Sequence, residues 1–160
     1  MRQPFAILGT AALVVVAACG GGSSDNGPTN PNQNPNSNRS MSARVDGTAW
    51  TATSVAAGVT NGVLIIAGTN VTQTVTVSAV VSQGTGTQTV GQTSLASGSL
   101  LVGQQQWSAS GLQGGTGSVT LTTLTATRAV GSFSFTVQGR TQGATPASRQ
   151  ITSGVFDVVF

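Results

Sequence analysis

Few residues of this chain have side chains suited to chemistry. The sequence contains no His, Glu, Lys or Tyr, a single cysteine, Cys19, and three carboxylates, Asp25, Asp46 and Asp157. Catalysis needs titratable or nucleophilic groups placed together. Ser/His/Asp and Cys/His arrangements are therefore ruled out, as are His- or Cys-rich metal sites. A paired-carboxylate mechanism would need Asp46 and Asp157 to face each other across a cleft. Asp46 reads better as the first residue of an Asp-Gly turn, and Asp157 as a solvent-facing residue on a strand opposite Phe156 and Val158. No catalytic residue, metal or dissociable cofactor is expected, and the chain reads as non-enzymatic.

Cys19 closes an apolar run. Met1-Arg2-Gln3-Pro4 gives a short, singly charged start, and Phe5–Ala18 follows with 14 residues interrupted only by Gly9 and Thr10. A membrane-spanning helix needs about 20 apolar residues, so this run fits the core of a signal peptide. Val16-Ala17-Ala18-Cys19 resembles the lipobox of bacterial lipoproteins. The resemblance implies that Val16, Ala17 and Ala18 are read by a signal peptidase that removes residues 1–18. It further implies that Cys19 carries diacylglycerol on its thiol and an acyl chain on its new amine. Two or three acyl chains hold a protein on a bilayer, whereas one gives only marginal binding. The alternative is ordinary secretory cleavage after Ala18, which would leave Cys19 as an odd exposed thiol. Gly20, in place of Asp after the cysteine, favours the outer over the inner membrane of a two-membrane envelope by the same resemblance.

The high isoelectric point misleads about charge. Removing residues 1–18 takes Arg2 with it and leaves five Arg against three Asp. With Lys, Glu, His and Tyr absent, little titrates between the Asp and Arg ranges. Arg39, Arg44, Arg128, Arg140 and Arg149 are scattered along the chain, so no nucleic-acid surface is expected. Residues 20–39, GGGSSDNGPTNPNQNPNSNR, hold no aliphatic or aromatic side chain. Such a stretch cannot bury enough apolar area to offset its ordering entropy and reads as a disordered tether. The expected organisation is a signal peptide at 1–18, lipidated cysteine and linker at 19–40, and one domain at 41–160. With its cysteine lipidated, the domain has no disulfide and must rest on its apolar core.

From Met41 onward Thr, Val, Ser, Gly and Ala dominate, which favours strands and turns. Asp46-Gly47 and Asn61-Gly62 are two-residue hairpin signals. Strands are expected over Ser42–Val45, Thr48–Ala52, Val63–Ala67 and Thr74–Val81. The Gly- and Thr-rich Gln83–Gln92 reads as a loop around a short strand. Further strands are expected over Ser97–Val102, Gln105–Ala109, Ser118–Leu124, Val130–Val137 and Gln150–Phe160. Gly154 is placed at a bulge that resets the alternation of the last strand. Roughly eight to ten short strands with this spacing predict an all-β antiparallel sandwich. The alternative is a small closed, lipocalin-like barrel around a cavity for an apolar ligand.

Three pieces carry a second resemblance: Ala43-Arg44-Val45-Asp46-Gly47-Thr48-Ala49-Trp50, Gly131-Ser132-Phe133-Ser134-Phe135, and Ile151-Thr152-Ser153-Gly154-Val155-Phe156-Asp157-Val158. They resemble a family of uncharacterised bacterial lipoproteins and imply an all-β envelope domain with no catalytic role. Trp50, Phe133, Phe135, Phe156 and Phe160 are expected in the core. Trp107, after Gln104-Gln105-Gln106, is the candidate for an exposed ligand contact. The expected partners are the lipid bilayer through Cys19 and an unspecified protein or glycan. The last strand, ending in Phe160, also resembles the terminal signal of outer-membrane β-barrels, but the strands are short for a membrane and aromatic girdles are missing. A part in an outer-membrane barrel assembly is thus a lesser alternative.

Overall fold

The computed structural model describes residues 39–160 apart from 93 and 141. These residues form eleven strands: β1 (Ser40–Val45), β2 (Thr48–Thr51), β3 (Ser54–Thr60), β4 (Val63–Thr69), β5 (Gln73–Val80), β6 (Gly86–Thr89), β7 (Ser97–Val102), β8 (Gln105–Ala109), β9 (Thr116–Leu124), β10 (Arg128–Gly139) and β11 (Ser148–Val159). A single 3-10 turn at Val81–Gln83 leads from β5 towards β6. Both two-residue hairpins form as their sequences demand. Asp46 and Gly47 have φ of 50° and 81°, and Asn61 and Gly62 have 51° and 77°. Two successive positive φ values define the type I′ turn, whose twist matches that of the flanking strands.

All pairings are antiparallel and belong to one curled sheet, ordered β2-β1-β11-β10-β8-β7-β5-β4-β3. The sheet curls into a half-barrel instead of dividing into two separate layers or closing completely, with apolar side chains filling its concave side. Its middle is split. β10 pairs with β9 over Ala129–Thr136 and with β8 only at Gln138 and Gly139. On the other side, β5 pairs with β7 from Gln73 to Ser78. Beyond that point no strand among the described residues pairs with this edge of β5. Gln88 of β6, only 5% exposed, fills the gap with its side-chain amide. The Val80 N–H donates to Gln88 Oε1 at 2.7 Å, and Gln88 Nε2 donates to the Val80 carbonyl at 2.8 Å. One amide thus replaces two ladder hydrogen bonds, leaving neither Val80 group orphaned.

The half-barrel has two ends. The proximal end, where Arg39 lies, gathers the β3–β4 turn, Val81–Gln83, the β9–β10 turn and Phe160. The distal end gathers Asp46-Gly47, Asn70–Thr72, Gly103-Gln104 and the loop 142–147.

The core is contributed by alternate residues of nearly every strand. Met41, Val45, Leu64, Ile66, Val75, Val77, Leu100, Val119, Leu121, Phe133, Phe135, Val137, Ile151, Phe156 and Val158 are all buried. The phenylalanines cluster, with Phe133 5.8 Å from Phe135 and 6.3 Å from Phe156 between ring centroids. Glycines make room for them: a Cβ on Gly98 would collide with the Phe135 ring, and one on Gly154 with the Phe133 ring. The bulge lies beside Gly154. Between Ile151 and Gly154, β11 carries one more residue than β10, and its pairing with β1 slips over the same stretch. Ser153 takes the positive φ of 52° there, and Gly154 supplies the space.

Charge is divided sharply. Between Gly47 and Thr127 the sequence holds no charged residue, so β2 to β9 are uncharged throughout. All the charged residues described lie on β1, β10, β11 and their flanks.

Candidate functional site

Val16, Ala17, Ala18 and Cys19 lie outside the described residues, as does the linker up to residue 38. The other sequence candidates are within view.

Trp107 is not an exposed contact. It is 1% exposed, deep in the core. Its place on β8, opposite Leu100 of β7 and Gly139 of β10, turns the ring to the concave side of the sheet. The polar tip is satisfied too: Nε1 donates to the Pro146 carbonyl at 2.8 Å. Arg149 stacks over the ring at 5.0 Å and forms an ion pair with Asp46 at 2.6 Å. The glutamines before Trp107 suggested solvent, but Gln105 and Gln106 belong to the strand itself, where alternation decides which side chains face inward. Trp107 thus ties the 142–147 loop, through Pro146, and the Asp46 turn, through Arg149, to the core at the distal end.

The two carboxylates are not brought together. Asp157 pairs with Ser40 at one end of the β1–β11 ladder, whereas Asp46 follows Val45 at the other. Six residues of extended chain put them about 20 Å apart. Each is engaged by an arginine. Asp46 accepts from Arg149 Nε at 2.6 Å and from the Gln150 N–H at 2.8 Å. Asp157 receives a two-pronged contact from Arg128 at 2.9 and 2.6 Å. Those hydrogen bonds hold the Asp157 carboxyl below its usual value, with partial burial opposing them.

Trp50 is core, as its position after the hairpin suggested. Its Nε1 is buried without a hydrogen-bond partner, unlike that of Trp107. Beside it lies a recess of about 150 Å³ lined by Val45, Thr48, Ala49, Asn70, Thr72 and Gln73. Asn70 Oδ1 is already committed to the Thr72 and Gln73 N–H groups and the Thr72 hydroxyl.

The apolar concavity that sequence reasoning missed is at the proximal end. An open groove of about 520 Å³ is lined by Val59, Val81, Leu124, Thr125, Ala126 and Phe160. These residues come from the end of β3, the 3-10 turn, the β9–β10 turn and the chain after β11. Only the three-dimensional gathering of four chain ends creates the groove, so no spacing in the sequence signals it. Its frame is pinned by backbone hydrogen bonds: Val81 N–H to the Gly62 carbonyl, Thr125 N–H to that of Arg128 and Phe160 N–H to that of Thr127, each 2.9 Å. Phe160, expected in the core, is half-buried and forms one wall. A lipocalin-like carrier would hold its ligand inside the sheet. Here the interior is packed with side chains, and open apolar space lies at one mouth.

The fold and its sites define an all-β domain with a filled half-barrel, an apolar mouth and an arginine-braced wall. The chain belongs to the family described as Domain of unknown function (DUF6252), which matches residues 37–159. That span contains all eleven strands and begins 18 residues after Cys19. No curated protein matches the sequence.

Proposed function

We propose that this protein is a bacterial envelope lipoprotein, held on the membrane by acylated Cys19 and displaying a non-catalytic β domain with a structural or binding role. The observation that carries the reading is Val16-Ala17-Ala18-Cys19 at the end of an apolar run too short to span a bilayer. Two features support it. The stretch from Gly20 to Arg39 is built as a spacer without apolar side chains. The few reactive groups of the domain are spent on structure, Asp46 with Arg149 and Asp157 with Arg128. Gly20 favours the outer membrane as the destination.

Replacing Cys19 with Ser tests the anchor. The wild-type protein should incorporate radiolabelled palmitate and sediment with membranes, and Cys19→Ser should do neither. Equal labelling of the two proteins would refute acylation at this residue.

A further inference from the structure

We infer that the free edge of β3, together with the proximal groove beside it, docks an extended, uncharged peptide strand of another protein. The strand adds antiparallel to β3 and places alternate apolar side chains in the groove. The inference rests on the binding role proposed above and not on the lipid anchor, so either can fail while the other stands.

Three observations converge on this partner. The first is the backbone that β3 presents. β3 ends the sheet, and among the described residues no strand pairs with its outer edge. Its register with β4 runs unbroken from Ser54 opposite Thr69 to Thr60 opposite Val63. The two-residue turn makes Thr60 and Val63 a hydrogen-bonded pair. By alternation Gly58 also bonds to β4, and the N–H and C=O groups of Ala57 and Val59 point away from it. Gly58 keeps the approach open, since a Cβ there would meet nothing within 4 Å. The opposite edge strand, β2, has only four residues, whereas β3 has seven and no Lys or Pro to block pairing.

The second is the groove that adjoins this edge. Val59 belongs to both: its backbone faces the free edge, and its side chain, 42% exposed, lines the groove with Val81, Leu124, Ala126 and Phe160. Val55, Ala57 and Val59 share one face of β3, and Val55 is already buried in the core. In an antiparallel hydrogen-bonded pair, opposite residues turn their side chains to the same face. A residue bonded to Val59 therefore directs its side chain into the groove of about 520 Å³.

The third is the kind of bond on offer. None of the six lining residues is charged, and β3 and β4 are uncharged throughout, so the docked stretch is a neutral one. A purely apolar ligand would fill the groove and leave the Ala57 and Val59 backbone groups to water. A peptide backbone satisfies them while its side chains fill the groove. Edge hydrogen bonds then supply affinity, and the groove selects the side chains.

The test uses the full chain and a fluorescent octapeptide that alternates valine with threonine. Two control peptides carry N-methyl groups, one on the valine amides and the other on the threonine amides. The expected result is saturable binding that slows hydrogen exchange at the Ala57 and Val59 amides. Methylating the valine amides, which face β3, should weaken binding about tenfold or more, and methylating the threonine amides should leave it nearly unchanged. Ala57→Pro removes one edge N–H, and Leu124→Asp puts a carboxylate in the groove; each should weaken binding by a similar factor. Cys19→Ser should bind the probe as the wild type does, whatever becomes of its acylation, which separates the docking from the anchor. Failure of the probe to bind, equal effects of the two methylated peptides, or wild-type binding by both groove and edge variants would overturn the docking. So would protection of Ala57 and Val59 that rises with protein concentration in the absence of peptide, because a second copy of the chain would then hold the edge.

Discussion

The two walls of the half-barrel solve the same problem by different means. The wall made of β1, β10 and β11 carries all the charge described and three of the core phenylalanines. Its ion pairs tie strand to turn and strand to strand, Asp46 to Arg149 and Asp157 to Arg128. The wall made of β3, β4, β5 and β7 has no charge at all. Its outer face pairs Ala56 with Ala67, Ala67 with Thr76 and Thr76 with Ser99 and also carries Ile65 and Leu101, while its inner face holds Leu64, Ile66, Val75, Val77 and Leu100. The contrast shows that charge is not needed to specify this sheet. Alternation buries one face of either wall, and a slip of one residue would turn the whole apolar set outward. The two ion pairs sit at opposite ends of the charged wall, Arg149–Asp46 at the distal end and Arg128–Asp157 at the proximal end, and the phenylalanines gather near the β11 bulge. The uncharged wall ends in β3, a seven-residue edge strand with no Lys, Pro or other blocking residue.

The largest expected effect lies in the braced wall. Phe135→Ala should cost about 3–5 kcal/mol of unfolding free energy by denaturant titration, because the ring is buried over Gly98 and its removal leaves a cavity. A loss well under about 1 kcal/mol would mean that the phenylalanine cluster is not what holds this wall.

Next comes the seam where the walls meet. Gln88→Ala should cost about 1–3 kcal/mol by leaving the Val80 N–H and carbonyl unsatisfied, with hydrogen exchange of the Val80 amide accelerated. Unchanged exchange at Val80 would place the closure elsewhere.

The two tryptophans differ in that one polar tip is satisfied and the other is not. Trp107→Phe should cost about 1–2 kcal/mol more than Trp50→Phe, because only the former loses a hydrogen bond, to the Pro146 carbonyl, and weakens a stacked arginine. Equal losses would show that the Pro146 and Arg149 contacts add nothing beyond packing.

The smallest effect belongs to the exposed Arg128–Asp157 pair. Arg128 holds the Asp157 pKa below its unfolded value of about 3.9. Its stabilisation is therefore complete above that pH and is lost as pH falls through the folded value. Asp157→Asn should leave stability near neutrality almost unchanged and flatten part of the decline below about pH 4. A steeper acid decline in the variant would show that Arg128 does not stabilise the Asp157 carboxylate.

Much of the fold is legible in the sequence because period-two alternation and turn chemistry are local. Asp46-Gly47 and Asn61-Gly62 mark their own hairpins, and Phe133, Phe135 and Val137 declare the inner face of β10. Gly154 points to its bulge, although the strained residue is its neighbour Ser153. What escapes local reading is set by neighbours far along the chain. β3 is hidden because Ala56, Ala57 and Gly58 carry little strand preference, and only its pairing with β4 makes it a strand. Gln88 looks like any polar residue in a Thr-rich stretch until Val80 lies beside it. Trp107 seemed exposed from its glutamine neighbours, yet pairing with β7 and β10 buries it. The proximal groove is invisible for the same reason, being built from four separated chain ends.

The most direct test of the anchored-domain reading is the intact mass of the protein purified from membranes of the native cell. The expected species starts at residue 19, lacks residues 1–18 and is heavier than its polypeptide by diacylglycerol plus one amide-linked acyl chain, all localised to Cys19. A chain starting at residue 19 with an unmodified thiol, or one still carrying residues 1–18, would contradict it.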